Sequence, residues 1–139
     1  MTDALSYFSA KLEHETDASD AYAAQKAAQA AGSPFVIVDV RSAEAWAQGH
    51  IVGAVHMPYR DIAERAPVEL DPAVPVIVYC WSPGCNAGAK GAVEFAKLGY
   101  DVREMIGGYE YWVREGCPTE NESGPLPRTF DPLVMVVRD

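Results

Sequence analysis

The stretch Pro75-Val76-Ile77-Val78-Tyr79-Cys80-Trp81-Ser82-Pro83-Gly84-Cys85-Asn86-Ala87-Gly88 decides how this chain folds. Its first half is a short β-branched run of the kind that forms a strand buried on both faces. Its second half is rich in small and turn-forming residues and leads into Ala89–Leu98, which reads as a helix with Gly99 as its C-cap. Cys80 falls at the junction. Inward-facing amides and a helix amino terminus after a buried strand together favour an anion and a thiolate. The plainer alternative is a buried structural cysteine. Strand-end loops concentrate sites in α/β sheets, which favours the functional reading.

The same alternation continues on both sides. Phe35–Val40 is a second near-continuous β-branched run, and Ala54–Met57 is a shorter strand candidate stopped by Pro58. Val102–Ile106 predicts another strand, closed by Gly107-Gly108. Helices are expected from the Asp17–Asp20 caps through the Ala-rich segment to Gly32, from Ser42 to Gln48, around Asp61–Arg65, and over Tyr109–Glu115. Leu12–Thr16 is read as a short edge strand. Gly91, inside a helix, predicts close packing of that helix on its neighbours. A β-α-β-α order implies an α/β fold with a mostly parallel sheet and helices on both faces. Residues 1–34 are expected to be an amino-terminal extension of the same domain, 35–117 its core, and 118–139 a Pro-rich carboxyl-terminal tail. In that tail Leu133-Val134-Met135-Val136-Val137 is too apolar for water and is expected on the domain surface, in an edge strand or in a dimer contact.

A chain of 139 residues fits one domain, and its 11 Lys+Arg against 20 Asp+Glu give a net charge of −9. That balance opposes nucleic acid or an anionic membrane as a partner. An anion site must therefore be made locally. The amino terminus has no basic region before an apolar core, no apolar run reaches membrane-spanning length, and 3 cysteines do not make a disulfide framework. The expectation is a cytoplasmic protein.

The motifs, in order, resemble the rhodanese family. Asp39-Val40-Arg41, Glu44, Trp46, Gly49-His50-Ile51, Gly53-Ala54 and Met57-Pro58 look like its first signature block. Val78-Tyr79-Cys80, Gly99-Tyr100 and Gly107-Gly108 look like its active-site block, and Gly107-Gly108-Tyr109 with Trp112 resembles its closing segment. The resemblance implies a single rhodanese-like domain with a parallel five-stranded sheet and a cysteine that carries sulfur as a persulfide. It also implies sulfurtransferase activity from thiosulfate or a related donor to cyanide or another thiol acceptor. By matching position Cys80 is the nucleophile. Trp81, Ser82, Pro83, Gly84, Cys85, Asn86, Ala87 and Gly88 are then the loop that cradles the persulfide or the donor's oxyanion. Sulfur exchange of this kind needs a thiolate and donors aimed at a charged sulfur, with no cofactor and no metal. The cysteines and histidines also lack metal-ligand spacing.

Two features depart from the family pattern, in which the cysteine loop is commonly shorter and carries an Arg near its end. Here the loop is longer, residues 81–89 contain no Arg or Lys, and Lys90 is the nearest basic residue in sequence. Cys85 is an additional thiol. A phosphatase or arsenate reductase also sets a cysteine before an amide cradle, but needs an Arg six positions on; Asn86 stands there and cannot supply the charged fork. The Pro83-Gly84 turn can fold Cys85 back toward Cys80 as a resolving thiol, the alternative being that Cys85 points into the core. Asp39 and Arg41 are expected to form a structural ion pair or cap, and His50 to bond neighbouring backbone. Two function classes follow: a sulfurtransferase working through Cys80, or a non-catalytic or redox-sensing module with a Cys80/Cys85 thiol pair.

Overall fold

A computed structural model describes residues 3–137. Five strands form one wholly parallel sheet in the order β1-β6-β5-β2-β4. They are β1 (Glu15–Thr16), β2 (Val36–Asp39), β4 (Val55–His56), β5 (Val76–Tyr79) and β6 (Val102–Met105). Helix α1 (Ala4–His14) precedes them, α2 (Ala18–Ala31), α3 (Ala43–Gln48), α4 (Ile62–Glu69) and α5 (Ala87–Lys97) run between them, and α6 (Gly108–Arg114) follows β6.

Strand alternation sorts the core into two layers. Val38 and Val40 of the β2 run and Val76, Val78 and Cys80 of the β5 run point to one face, where Ile62 and Ala66 of α4 and Phe95 of α5 cover them. Ile37 and Tyr79 point to the other, against Ala18 and Ala21 of α2 and Trp112 of α6. Gly91 fits the close packing expected of it: a methyl there would sit 2.9 Å from Val40 Cγ1.

Several sequence expectations need correction. Leu12–His14 belong to α1, and only Glu15–Thr16 is strand. Asp3 caps α1 and a Lys11–Glu15 ion pair of 2.6 Å spans its end; Leu5, Phe8 and Leu12 recur at helical spacing, yet the helix buries no residue. The tail after Cys117 is not simply extended. Thr119–Asn121 (β7) and Gly124–Pro125 (β8) form a hairpin that pairs with His50–Ile51 (β3) in a second, antiparallel sheet. The apolar segment 133–137 forms no strand; Leu133 and Val136 are exposed, while Val134 and Met135 are half-buried. The helix after the cysteine loop also starts at Ala87, two residues before Ala89.

β2 and β5 are neighbours, yet the chain leaves β2 toward β4 on one side and leaves β5 toward β6 on the other. Their carboxyl ends therefore flank the sheet's topological switch point, where open α/β sheets form crevices. Cys80 follows β5 there, and Arg41 follows β2.

Candidate active site

Cys80 is almost fully buried, with its side chain on the α4/α5 face. The turn after it is closed by the Cys85 N–H donating to the Ser82 carbonyl at 3.0 Å, with Pro83-Gly84 at its centre. This fold-back brings the Cα atoms of Cys80 and Cys85 to 6.3 Å, and a disulfide joins the two residues. Gly84 has open space around it and no left-handed φ, so the turn does not depend on a glycine there. Asn86 supplies no side-chain cap to α5. The first-turn N–H groups of Ala87, Gly88 and Ala89 consequently have no acceptor among the described residues. Gly88 faces the cysteine: a methyl on it would lie 3.7 Å from Cβ of Cys80.

The other end of the loop is held by α6. The N–H groups of Tyr109 and Glu110 donate to the carbonyls of Cys80 and Trp81, both at 2.8 Å. Gly108 permits this approach, because a Cβ there would stand 2.7 Å from the Cys80 carbonyl oxygen and 2.9 Å from Ser82 N, and its φ is +64°.

One flank of the loop is a buried clamp. The Asp39 carboxylate, with no solvent exposure, accepts from Arg41 Nε at 3.0 Å, Arg41 Nη2 at 2.7 Å and the Tyr79 hydroxyl at 2.7 Å. Arg41 Nη2 also donates to the Gly49 carbonyl at 2.7 Å, and the Ile51 N–H donates to the Tyr79 hydroxyl at 3.2 Å. The guanidinium lies over the rings of Trp81 and Tyr109, 4.3 and 4.4 Å from their centroids. Its Nη1 is the one buried side-chain polar atom without a partner among the described residues. Burial foremost, then the Asp39 charge, pushes the Tyr79 phenol well above its ordinary range, so it stays a donor. His50 Nδ1 bonds the Trp46 carbonyl at 2.9 Å, and its ring stacks on Trp46. His56 Nε2 bonds the Arg41 carbonyl at 2.9 Å. These groups fix the ends of β2, β3 and β5.

The opposite flank opens into a cavity of about 210 Å³ lined by Lys11, Cys80, Ser82, Cys85, Glu104 and Gly107, among others. Lys11 and Glu104 were not singled out in the sequence. Glu104 Oε2 would stand 2.9 Å from a methyl on Gly88, which puts a carboxylate beside the start of α5. Burial raises the Glu104 pKa, Glu15 opposite it in the β1–β6 ladder raises it further, and Lys11 pulls it back. Lys90 turns away over the Tyr59 ring, 5.6 Å from its centroid. The lysine at the cavity thus comes from α1, not from the helix after the cysteine. A register read from sequence would have paired Glu15 with Glu104 only if α1 had first been recognised. The third cysteine, Cys117, is buried on the α2/α6 face, and burial pushes its thiol up to about 11.

Comparison with known proteins agrees with the architecture. The family model for the rhodanese-like domain matches residues 18–115. The chain is 39% identical over 92 residues to thiosulfate sulfurtransferase GlpE of Pseudomonas fluorescens, covering 64% of this chain and 79% of that protein. It is 30% identical over 95 residues to thiosulfate sulfurtransferase 16, chloroplastic, of Arabidopsis thaliana, covering 60% of this chain and 78% of that protein. The crystal structure of the BH2092 protein from Bacillus halodurans superposes with a TM-score of 0.75 at 38% identity, covering 87% of this chain and 86% of that one. The solution structure of the rhodanese-like domain from the Anabaena Alr3790 protein gives 0.66 at 29% identity, covering 91% and 93%. The chain belongs to the rhodanese-like domain family.

Proposed function

We propose that this member of the family is a sulfurtransferase that moves a sulfane sulfur from thiosulfate, or a related donor, to a thiol or cyanide acceptor through a persulfide on Cys80. The observation that carries the reading is the position of Cys80. Its thiol leaves the central strand at the switch point, beside first-turn amides of α5 that no capping side chain engages. In the reduced protein the Cys80 thiolate attacks the outer sulfur of the donor and sulfite departs. The residues from Trp81 to Gly88 hold the resulting Cys–S–S⁻, and an acceptor thiolate or cyanide then removes the outer sulfur. Helix-end amides supply positive potential where the persulfide charge develops, which replaces the arginine that residues 81–89 lack. Asp39, Arg41 and His50 keep the loop's other flank in place without touching the reacting sulfur.

Cys85 is the resolving thiol of this reading. Its disulfide with Cys80 is the oxidised, silent form, and a reductant returns the nucleophile. Such a cycle suits the reducing cytoplasm. The same disulfide favours a second reading, a redox-sensing module whose signal is the 80–85 bond itself.

Intact mass after reduction and incubation with thiosulfate separates the two. A sulfurtransferase takes one sulfur atom from thiosulfate with release of sulfite, and that sulfur is read either as an adduct that cyanide removes as thiocyanate or as free sulfide. Cys80→Ser is expected to lose both the adduct and the transfer while keeping the melting temperature of the reduced parent, since the change is nearly isosteric. A Cys80→Ser protein that still transfers sulfur at the parent's rate defeats the assignment. A parent that takes no sulfur from any donor leaves the redox module.

A further inference from the structure

Cys85 stands where it can finish what Cys80 begins. The two residues share the same cavity, the Ser82–Cys85 turn holds them together, and their sulfurs are within bonding reach. Beyond the α5 amides, the loop offers no side-chain cation to retain an anionic persulfide. No Arg or Lys lies in residues 81–89, and the Glu104 carboxylate lies on the cavity side of Gly88. A thiol held five residues away on a closed turn has a large advantage over any acceptor arriving from solution.

We propose, on the premise that Cys80 carries a persulfide, that this protein releases its sulfur as hydrosulfide, with Cys85 as the built-in acceptor. The Cys85 thiolate attacks the inner sulfur, Sγ of Cys80. A Cys85 Sγ–Cys80 Sγ bond forms, the bond from Cys80 Sγ to the sulfane sulfur breaks, and its electron pair leaves with that sulfur as HS⁻. The two cysteines are together oxidised by two electrons, and the sulfane sulfur is reduced by two. The product is the 80–85 disulfide present in the structure. A small dithiol reductant closes the cycle by thiol–disulfide exchange, becoming a disulfide itself. Summed over the cycle, thiosulfate and a dithiol give sulfite, sulfide and a disulfide. The natural neighbours of such an activity are reactions that consume sulfide, rather than acceptors that dock to receive a persulfide.

The test is a single turnover under nitrogen, so that air cannot make the disulfide. Pre-reduced parent and Cys85→Ser are freed of reductant and given one equivalent of thiosulfate, and free sulfide and intact mass are followed together. The parent is expected to release close to one sulfide per chain and to end two hydrogens lighter, as a disulfide. Cys85→Ser is expected to keep the added sulfur, release none as sulfide, and still form thiocyanate when cyanide is added. Parent persulfide that persists as long as in Cys85→Ser overturns the proposal, as does sulfur migrating to Cys85 without sulfide release. Failure of the premise looks different: neither the parent nor Cys85→Ser then takes sulfur from thiosulfate, and no sulfite, sulfide or thiocyanate appears.

Discussion

The two flanks of the Cys80 loop are built on opposite principles. On the Asp39–Arg41 side the carboxylate, the guanidinium and the Tyr79 phenol are buried, and the one guanidinium ties together a strand end, the Gly49 carbonyl and two aromatic rings. On the Glu104–Lys11 side the charges are half-exposed or exposed and line a cavity. The first arrangement resists change because a buried charge without its partner is expensive; the second can vary its charges cheaply because water screens them. On the proposed function, geometry is set on one side of the thiol and donor selectivity on the other.

The largest effect that would break this contrast comes from the buried flank. Asp39→Ala strands the Arg41 guanidinium and removes the acceptor of the Tyr79 hydroxyl, and should destabilise the fold by about 3–5 kcal/mol. Urea unfolding with an unchanged slope measures it directly. A midpoint equal to the parent's would mean that the clamp is incidental.

A smaller effect, on rate rather than stability, belongs to the open flank. Glu104→Gln removes a negative charge beside the cavity and should raise kcat/KM for thiosulfate roughly five- to tenfold at neutral pH. The sign with pH follows from the raised pKa of Glu104. Above that pKa the carboxylate repels the anionic donor; as pH falls through it the group is neutralised. The ratio of Gln variant to parent should therefore shrink toward unity in acid. The same raised pKa means that Glu104 costs stability as pH rises through it, so the variant should also lose less stability on that limb. A ratio flat across pH would remove Glu104 from selectivity.

The smallest effect concerns Cys117. Buried on the α2/α6 face with its thiol raised to about 11, it should resist iodoacetamide at neutral pH in the reduced native protein. Counting alkylated thiols by mass should give two, with the third reacting only in denaturant. Three rapid alkylations would show that this face opens as readily as the cavity.

How much was legible in the sequence follows the same division. The central strands, the helices that cover them and the placement of Cys80 were readable because each strand is β-branched and each covering helix has caps or an apolar face. Val36–Asp39, Val76–Tyr79 and Gly32 at the end of α2 are of this kind. The hairpin of β7 and β8 was not readable, since Pro125 and Pro127 point away from strand, and Pro125 is tolerated only because β8 is an edge. β3 consists of two residues whose partners lie near residue 120, so no local pattern reports it. Helix α1 was missed for a different reason. Leu5, Phe8 and Leu12 do recur at helical spacing, but none is buried, and residues 12–16 taken alone read as strand. With α1 went Lys11 and the sense of Glu104, the two charged residues of the cavity lining.

The attachment of β1 carries one more consequence. Its two residues pair only with β6, and beyond them the Ile106 N–H donates to the Thr16 carbonyl. Helix α1, which precedes it, contributes nothing to either core cluster. Peeling residues 4–16 away would therefore expose little apolar surface and leave the other four strands paired. Local opening of this kind lies at the low end of a protein's ladder of unfolding energies. Each such excursion carries Lys11 and Glu15 off together, so Glu104 is left without its neighbouring charges while the clamp and the central strands stay closed. Such an opening would change the electrostatic setting of the thiol as a unit, without disturbing the strand that carries it.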